Sequence, residues 1–251
     1  MRLQILCFNI HKGYSLYNQK YVLHQLREAL HSLEPDVVLL QEIKGQHPKE
    51  HLESDDGSLS SQFEYLADEL WPHYAYGRNS VHLDGDHGNA ILSKFPIYKS
   101  YNLDISTNPI EKRGLLHATV ELPDGKDLHL LTTHLNLHER GRAKQMRKIA
   151  EYMGAHIDDN AAVVLAGDFN DWRQNICQML ERRMGLYDMH HTLNGARAKT
   201  YPNFRPLLRL DRIYVSGLTP CCVKVLDDEP WCEMSDHLAL WGEVAYGATE
   251  A

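Results

Sequence analysis

The sequence predicts a four-layer α/β sandwich in which two mixed β-sheets pack face to face and helices cover their outer surfaces. Three observations carry that expectation. The chain runs twice through a strand–helix–strand unit, and each unit is accompanied by further strand-forming segments with hairpin turns. Two runs, Asp36-Val37-Val38-Leu39-Leu40-Gln41 and Val163-Val164-Leu165-Ala166, are short, apolar and rich in β-branched residues, as buried strands are. The first strand leads into Asn9-Ile10-His11-Lys12-Gly13, which lacks the glycine spacing of a phosphate-binding turn, so a doubly wound parallel sheet is disfavoured.

Taken in order, residues 2–10 read as the first strand, and 20–34 as an amphipathic helix closed by Pro35, which cannot continue it. A buried strand follows from Asp36 to Gln41. From about 44 to 58 the chain is polar, with Asp55-Asp56-Gly57-Ser58, and reads as the segment best suited to be a mobile loop. Ser60 or Ser61 can cap a helix running to about Leu70. Strands are expected at 73–77, 88–93, 97–105 and 113–122; the turn Pro123-Asp124-Gly125-Lys126 then returns the chain into a strand at 127–134. A helix over roughly 138–157 leads to the strand at 162–167, and later strands fall near 211–215, 221–226 and 237–245. No repeat, low-complexity tract or linker divides the sequence, so residues 1–251 are expected to form one domain.

Composition narrows the partners. With 26 basic and 34 acidic residues the formal charge is −8, unsuited to holding a polyanion on a broad basic surface. Five cysteines, two of them adjacent and none in a Cys-x-x-Cys pair, indicate neither a zinc site nor a disulfide framework. That pattern fits a reducing compartment. No basic-then-apolar leader opens the sequence and no apolar run reaches membrane-spanning length, so a soluble cytoplasmic protein is expected.

Chemistry-bearing residues gather at the predicted strand exits: Asn9, Gln41-Glu42, His134, Asp168 with Asn170, Asp211, and Ser235-Asp236-His237. Loops at strand ends are where distant parts of a chain can converge on a ligand. Asp168 and Asn170 stand two apart, so an extended backbone would point both side chains the same way. Singly, each residue reads as readily as a turn former, a solvated carboxylate or a satisfied histidine. So many such groups at strand exits of one chain are harder to credit to chance.

The ordered set Asn9, Leu40-Gln41-Glu42, Thr133-His134-Leu135, Gly167-Asp168-Phe169-Asn170, Leu210-Asp211-Arg212-Ile213 and Ser235-Asp236-His237 resembles the endonuclease/exonuclease/phosphatase (DNase I-like) superfamily over nearly the whole chain. The stretches Tyr76-Gly77-Arg78-Asn79, Gly88-Asn89-Ala90-Ile91-Leu92-Ser93 and the segment from Gly167 to Gln174 are similar to a compact bacterial branch of it. The resemblance implies metal-assisted hydrolysis of a phosphoester. It implies Glu42 as the main ligand of Mg²⁺ (Mn²⁺ could replace it), with Asn9 and Asp236 completing the set, since Mg²⁺ favours a few carboxylates plus waters and phosphate. His237 would activate water or protonate the phosphate, with Asp211 holding its tautomer. His134 would lie across the phosphate, near Asn89. Asp168 and Asn170 would position the attacking water or a second metal. Arg113 and Arg78 could each reach a phosphate oxygen, although a surface salt bridge is as good a reading for either. Trp172 and Arg173 flank the Asp168 loop, where a packing role suits the Trp; His11 and His190-His191 read as structural.

For the substrate, the net charge favours a small phosphoester or a phospholipid head group over DNA, with no stable nucleic-acid complex. A DNA nuclease is the alternative. A catalytically silent binding module is a distant third reading, because Glu42, Asp168, Asn170 and His237 are all retained.

Overall fold

A computed structural model describes residues 1–45, 61–82 and 85–247. Numbered along the chain, the first sheet runs in the order β11 (Thr219–Leu226), β12 (Ala239–Ala245), β1 (Arg2–Asn9), β2 (Val37–Lys44), β4 (Gly85–Ser93) and β3 (His73–His82). The second runs β5 (Ile97–Asp104), β6 (Gly114–Glu121), β7 (Asp127–His134), β8 (Ala162–Asp168), β10 (Asp211–Ser216) and β9 (Tyr187–Asp188). The two parallel pairs, β1 with β2 and β7 with β8, are each bridged by a helix: α1 (Leu23–Leu33) in the first case and α3 (Glu139–His156) in the second. All other pairings are antiparallel, so both sheets are mixed, as the two half-patterns predict.

The apolar runs are unbroken because their strands are buried on both faces. In β1, Leu3, Ile5 and Cys7 enter the core between the sheets, while Leu6 and Phe8 pack outward under α1. In β2 the same split separates Val37 and Leu39 from Val38 and Leu40. In β8, Val164 and Ala166 face inward, and Val163 and Leu165 meet Met146, Ile149 and Met153 of α3. Each such Leu, Ile or Phe, fully buried, contributes about 1.5–3 kcal/mol.

Element ends follow local chemistry. Glu34, at φ 49°, caps α1 in the left-handed conformation just before Pro35. Ser61 caps α2 (Gln62–Ala67) in a reciprocal box with Glu64, so the helix starts where expected but stops short of Leu70. Strand β2 outruns its expected end at Gln41, and β3 and β4 are longer than their apolar patterns. Two helices escape the periodicity: α4 (Cys177–Met184) and α5 (Met189–Asn194). The latter is rich in weak helix formers; it is held by the Asp188 side chain accepting from His191 N–H and by Met189 in the inter-sheet core. Beyond Gly45 the polar loop expected to residue 58 lies outside the described residues.

Candidate active site

Side-chain alternation builds the site. Inward-facing positions are 3, 5, 7 and 9 on β1 and 37, 39 and 41 on β2; on β8 the inward series ends at Asp168. At one end of the sandwich the inward series turns polar on every central strand. Residues in register on adjacent strands share a face. In the second sheet His134 pairs with Asp168, and Asp168 with Asp211, forming one polar rung across β7, β8 and β10. In the first sheet Asn9 pairs with Gln41, and Gln41 with Asn89, forming another across β1, β2 and β4. The rungs meet between the sheets, where Gln41 Nε2 donates to Thr132 Oγ1 at 2.8 Å and Asn9 Nδ2 donates to Asp168 Oδ2 at 3.2 Å.

Asp168 is the hub. Its Oδ2 lies 3.4 Å from His134 Nε2 and 3.7 Å from His237 Nε2 as well as accepting from Asn9. Its Oδ1 accepts the Asn170 N–H at 2.9 Å. Asp168 and Asn170 are therefore joined by a tight turn and not by strand alternation: Asn170 stands at φ 50° and turns its amide to the Leu135 carbonyl, 3.0 Å away. The extended pairing expected from their spacing is corrected accordingly.

Glu42 also departs from expectation. It does not end its strand but sits at a bulge inside β2, at φ 54°, where the register slips between Gln41 and Ile43. The bulge re-aims the carboxylate, which would otherwise point outward with Leu40. Oε1 accepts from Asn9 Nδ2 at 3.4 Å and faces His134 Nδ1 at 3.8 Å, while Oε2 lies 3.9 Å from Lys12 Nζ. Burial opposes its ionisation, but His134, Lys12, Asn9 and His11 prevail and hold its pKa at about 2.

His237 Nδ1 is 2.8 Å from Asp211 Oδ2, and Thr200 Oγ1 donates to that same oxygen at 2.5 Å. Burial would lower the His237 pKa; the carboxylates of Asp211, Asp168 and Asp236 override it and raise it to about 10. His134 behaves oppositely. Burial first, and the Arg113 guanidinium next, push it well below the usual histidine value despite Glu42. Asp168 is raised to about 6 by burial, against the His237 cation and with the added repulsion of Asp211. Two histidines around one carboxylate are thus driven to different charge states.

The remaining expected residues are placed unequally. Asp236 accepts from Ser235 Oγ at 3.3 Å and faces His11 Nδ1 at 3.7 Å, so it borders the cluster beside His11. Arg113 lies beside His134 and is paired with Glu111 at 3.0 Å. Asn89 Nδ2 donates to the Gly114 and Thr132 carbonyls at 3.1 and 3.5 Å, while its Oδ1 is buried without a hydrogen-bond partner. Arg78 pairs with Asp86 at 3.3 Å, with no described contact to the cluster. Trp172 is partly exposed, with Arg142 stacked over its ring at 4.8 Å.

Several contributors carry no sequence signal of their own. His11, which reads as structural from the sequence, and Lys12 flank Asp236 and Glu42. Thr200 buttresses Asp211, and the Tyr201 ring packs against His237 at 4.9 Å. Ser235 Oγ donates to the Asn9 carbonyl at 2.7 Å, tying the last site loop to the first strand. A Thr-Tyr-Pro in a long loop looks like any turn; only its contacts reveal it.

The donor chemistry suits a hard divalent cation. Glu42 is ionised and partly exposed, and Asn9 stands between it and Asp168. Atoms of Asp168, Asp211 and His237 also lie within 4.8 Å of one another, a second compact donor set. Within that set the His237–Asp211 hydrogen bond already occupies one nitrogen and one oxygen, so Glu42 is the freer ligand.

Residues 6–237 match the model of the Endonuclease/Exonuclease/phosphatase family. The chain belongs to this family. Its relatives include the protein YbhP of Escherichia coli (strain K12), 39% identical over 242 residues, which span 96% of this chain and 95% of YbhP. Among solved structures, an endonuclease/exonuclease/phosphatase from Beutenbergia cavernae aligns with a TM-score of 0.81 at 22% identity, covering 98% of this chain and 72% of that one. TDP2 of D. rerio complexed with a single-strand DNA product gives 0.73 at 23% identity, covering 97% and 99%. The mannosyl-6-phosphatase Bt3783 of Bacteroides thetaiotaomicron gives 0.73 at 18%, covering 97% and 100%. At such identities the likeness is one of fold. Family membership makes the protein a hydrolase of phosphoester bonds.

Proposed function

We propose that one catalytic domain, comprising residues 1–251, hydrolyses a small-molecule or phospholipid phosphoester with the help of Mg²⁺, for which Mn²⁺ could substitute. The observation that carries this reading is the convergence of Asn9, His134 and His237 on Asp168 Oδ2, with Glu42 held ionised beside them. Glu42 would hold the cation with support from Asn9, and Asp236 would lend charge from the border. When bound, such an ion supplies Lewis-acid polarisation of the phosphoryl oxygen.

The protein's own groups do the rest. Asp168, backed by the Asn170 turn, orients the attacking water in line with the leaving oxygen. His237 exchanges the proton, and Asp211, braced by Thr200, stabilises its cationic form. His134, held neutral by burial, donates a hydrogen bond from its ring N–H to the phosphoryl group from the other side. Arg113 adds positive charge there.

A DNA nuclease is the second reading, favoured by the fold shared with a neighbour solved with single-strand DNA. Net charge weighs against it. The deciding experiment offers plasmid DNA, bis-p-nitrophenyl phosphate, lysophospholipid and phosphoinositide, each with Mg²⁺ or EDTA. Metal-dependent turnover of a small ester or lipid well above plasmid nicking supports the proposal. Preferential plasmid cleavage makes the protein a nuclease, and inertness toward the whole panel makes it a silent binding module. Activity that persists in EDTA removes the metal from the scheme.

A further inference from the structure

The end of the sandwich that carries the site also exposes a set of large apolar side chains that includes Tyr17, Ile110, Leu137, Trp172, Phe204 and Leu207. They stand on five loops: after β1, between β5 and β6, after β7, after β8, and before β10. Ile110 is 91% exposed, Tyr17 73% and Phe204 67%, values at which they contribute almost nothing to the core.

These loops are joined to one another and to the site. Leu137 N–H donates to Glu111 Oε1 at 3.3 Å, and Asn175 Nδ2 donates to Glu139 Oε1 at 2.8 Å. The loop bearing Phe204 is anchored by Asn203, whose N–H donates to the Asp236 carbonyl at 2.9 Å. Tyr17 lies close enough to Tyr201 to influence its ionisation. The tips therefore form a collar around the catalytic mouth. Exposed apolar residues scattered singly need no explanation, but a set ringing one site marks an interaction surface.

Charge identifies the surface. Each loop of the collar carries an exposed cation within three positions of its tip: Lys20, Lys112, Arg140, Arg173 and Arg205. This happens on a chain of net charge −8. Among the described residues the acidic run Asp227, Asp228, Glu229 and Glu233 lies on the loop between β11 and β12, whose own large apolar residues, Trp231 and Met234, are buried, whereas the collar's acids Glu111 and Glu139 are engaged by Arg113 at 3.0 Å and Arg173 at 3.3 Å. Apolar tips interleaved with Lys and Arg are the composition that seats a protein in the interface of an anionic bilayer. A single-stranded nucleic acid would draw on π faces for stacking. Ile110, Leu137 and Leu207 offer none.

We infer that this collar docks the protein on an anionic phospholipid surface, so that the site receives its phosphoester from the membrane interface. The inference rests on the phosphoesterase reading of the site that the collar surrounds. Flotation with phosphatidylcholine vesicles, with and without phosphatidylglycerol, tests it. The protein should float with the anionic vesicles, and the triple variant Ile110→Asp/Leu137→Asp/Phe204→Asp should reduce the bound fraction about tenfold or more. Circular dichroism should show the variant folded, and its turnover of soluble bis-p-nitrophenyl phosphate should be unchanged. Failure of the natural sequence to float, or full binding by the folded triple variant, overturns the inference. So does loss of oligothymidylate binding in the variant with no vesicle binding in either protein. Vesicle binding without any hydrolysis of the soluble ester leaves the docking surface standing and strikes only at the enzymatic reading.

Discussion

The Nδ1 atom of His237 lies 2.8 Å from Oδ2 of Asp211, a buried pair that joins the loop before β12 to the first residue of β10. Their union leaves His237 Nε2 facing Asp168. It makes the imidazole a directed group whose charge is set by its carboxylate neighbours.

That pairing predicts a kinetic signature. His237→Ala and Asp211→Asn should each lower kcat by on the order of a hundredfold or more while changing KM little. The double variant should lose scarcely more than the worse single one, because the pair acts as a unit. Steady-state kinetics on a soluble ester checks this, and multiplicative losses would show independent roles.

Glu42 is ionised at any working pH, since its carboxyl titrates near 2. Glu42→Gln should preserve the bulge in β2 and the fold yet weaken Mg²⁺ binding measured calorimetrically. Turnover should fall by orders of magnitude, and EDTA should abolish it in the natural sequence until Mg²⁺ is restored. A Glu42→Gln protein with full affinity for the ion would move the metal to the Asp168, Asp211 and His237 set.

Buried charge also braces the site from behind. Arg212 lies 3.4 Å from Asp171 Oδ2 and donates to the Asp171 carbonyl at 2.8 Å, both side chains being almost fully enclosed. Asp171→Ala takes the carboxylate partner away from the buried guanidinium, which keeps only backbone carbonyls and neighbouring charge, and should cost about 3–5 kcal/mol of stability in urea unfolding. The same carboxylate accepts the N–H groups of Asn175 and Ile176, so the loop after β8 should loosen as well.

A pH effect on stability should arise far from the catalytic end. His117 Nε2 and His129 Nδ1 are 3.0 Å apart, and Tyr152 OH lies 3.0 Å from His117 Nδ1. Burial, with the repulsion of His129 behind it, lowers the His117 pKa to about 4. Between that value and the ordinary 6.5, the unfolded chain binds the proton and the folded one does not. The stabilisation is therefore complete above pH 6.5 and is lost as pH falls toward 4, by up to about 3 kcal/mol. Comparing unfolding free energies of the natural sequence and His117→Gln across this window isolates the contribution, which should shrink in the variant.

How much of this was legible beforehand varies with the physics involved. The buried runs of β2 and β8, the hairpin at Pro123–Lys126 and the helix α3 are local patterns, and period and turn chemistry suffice for them. Helix α5 depends on Asp188 and on where Met189 lands, so periodicity says nothing of it. The positions of Asn9, His134, Asp168 and Asp211 at strand exits follow from pattern, whereas the contacts of Asn89 with the Gly114 and Thr132 carbonyls, of Asp236 with His11 and of Arg78 with Asp86 depend on how the chain closes.

By itself the sequence determines the two sheets and the parity of their strands. It thereby decides which residues end each inward-facing series, because alternation along a strand is a local rule. Only the tertiary structure decides which rung faces which, that a bulge turns Glu42 inward, and that Thr200 and Tyr201 close over Asp211 and His237. Those contacts join residues brought together by strand register and chain closure, and no local period encodes how distant strands align.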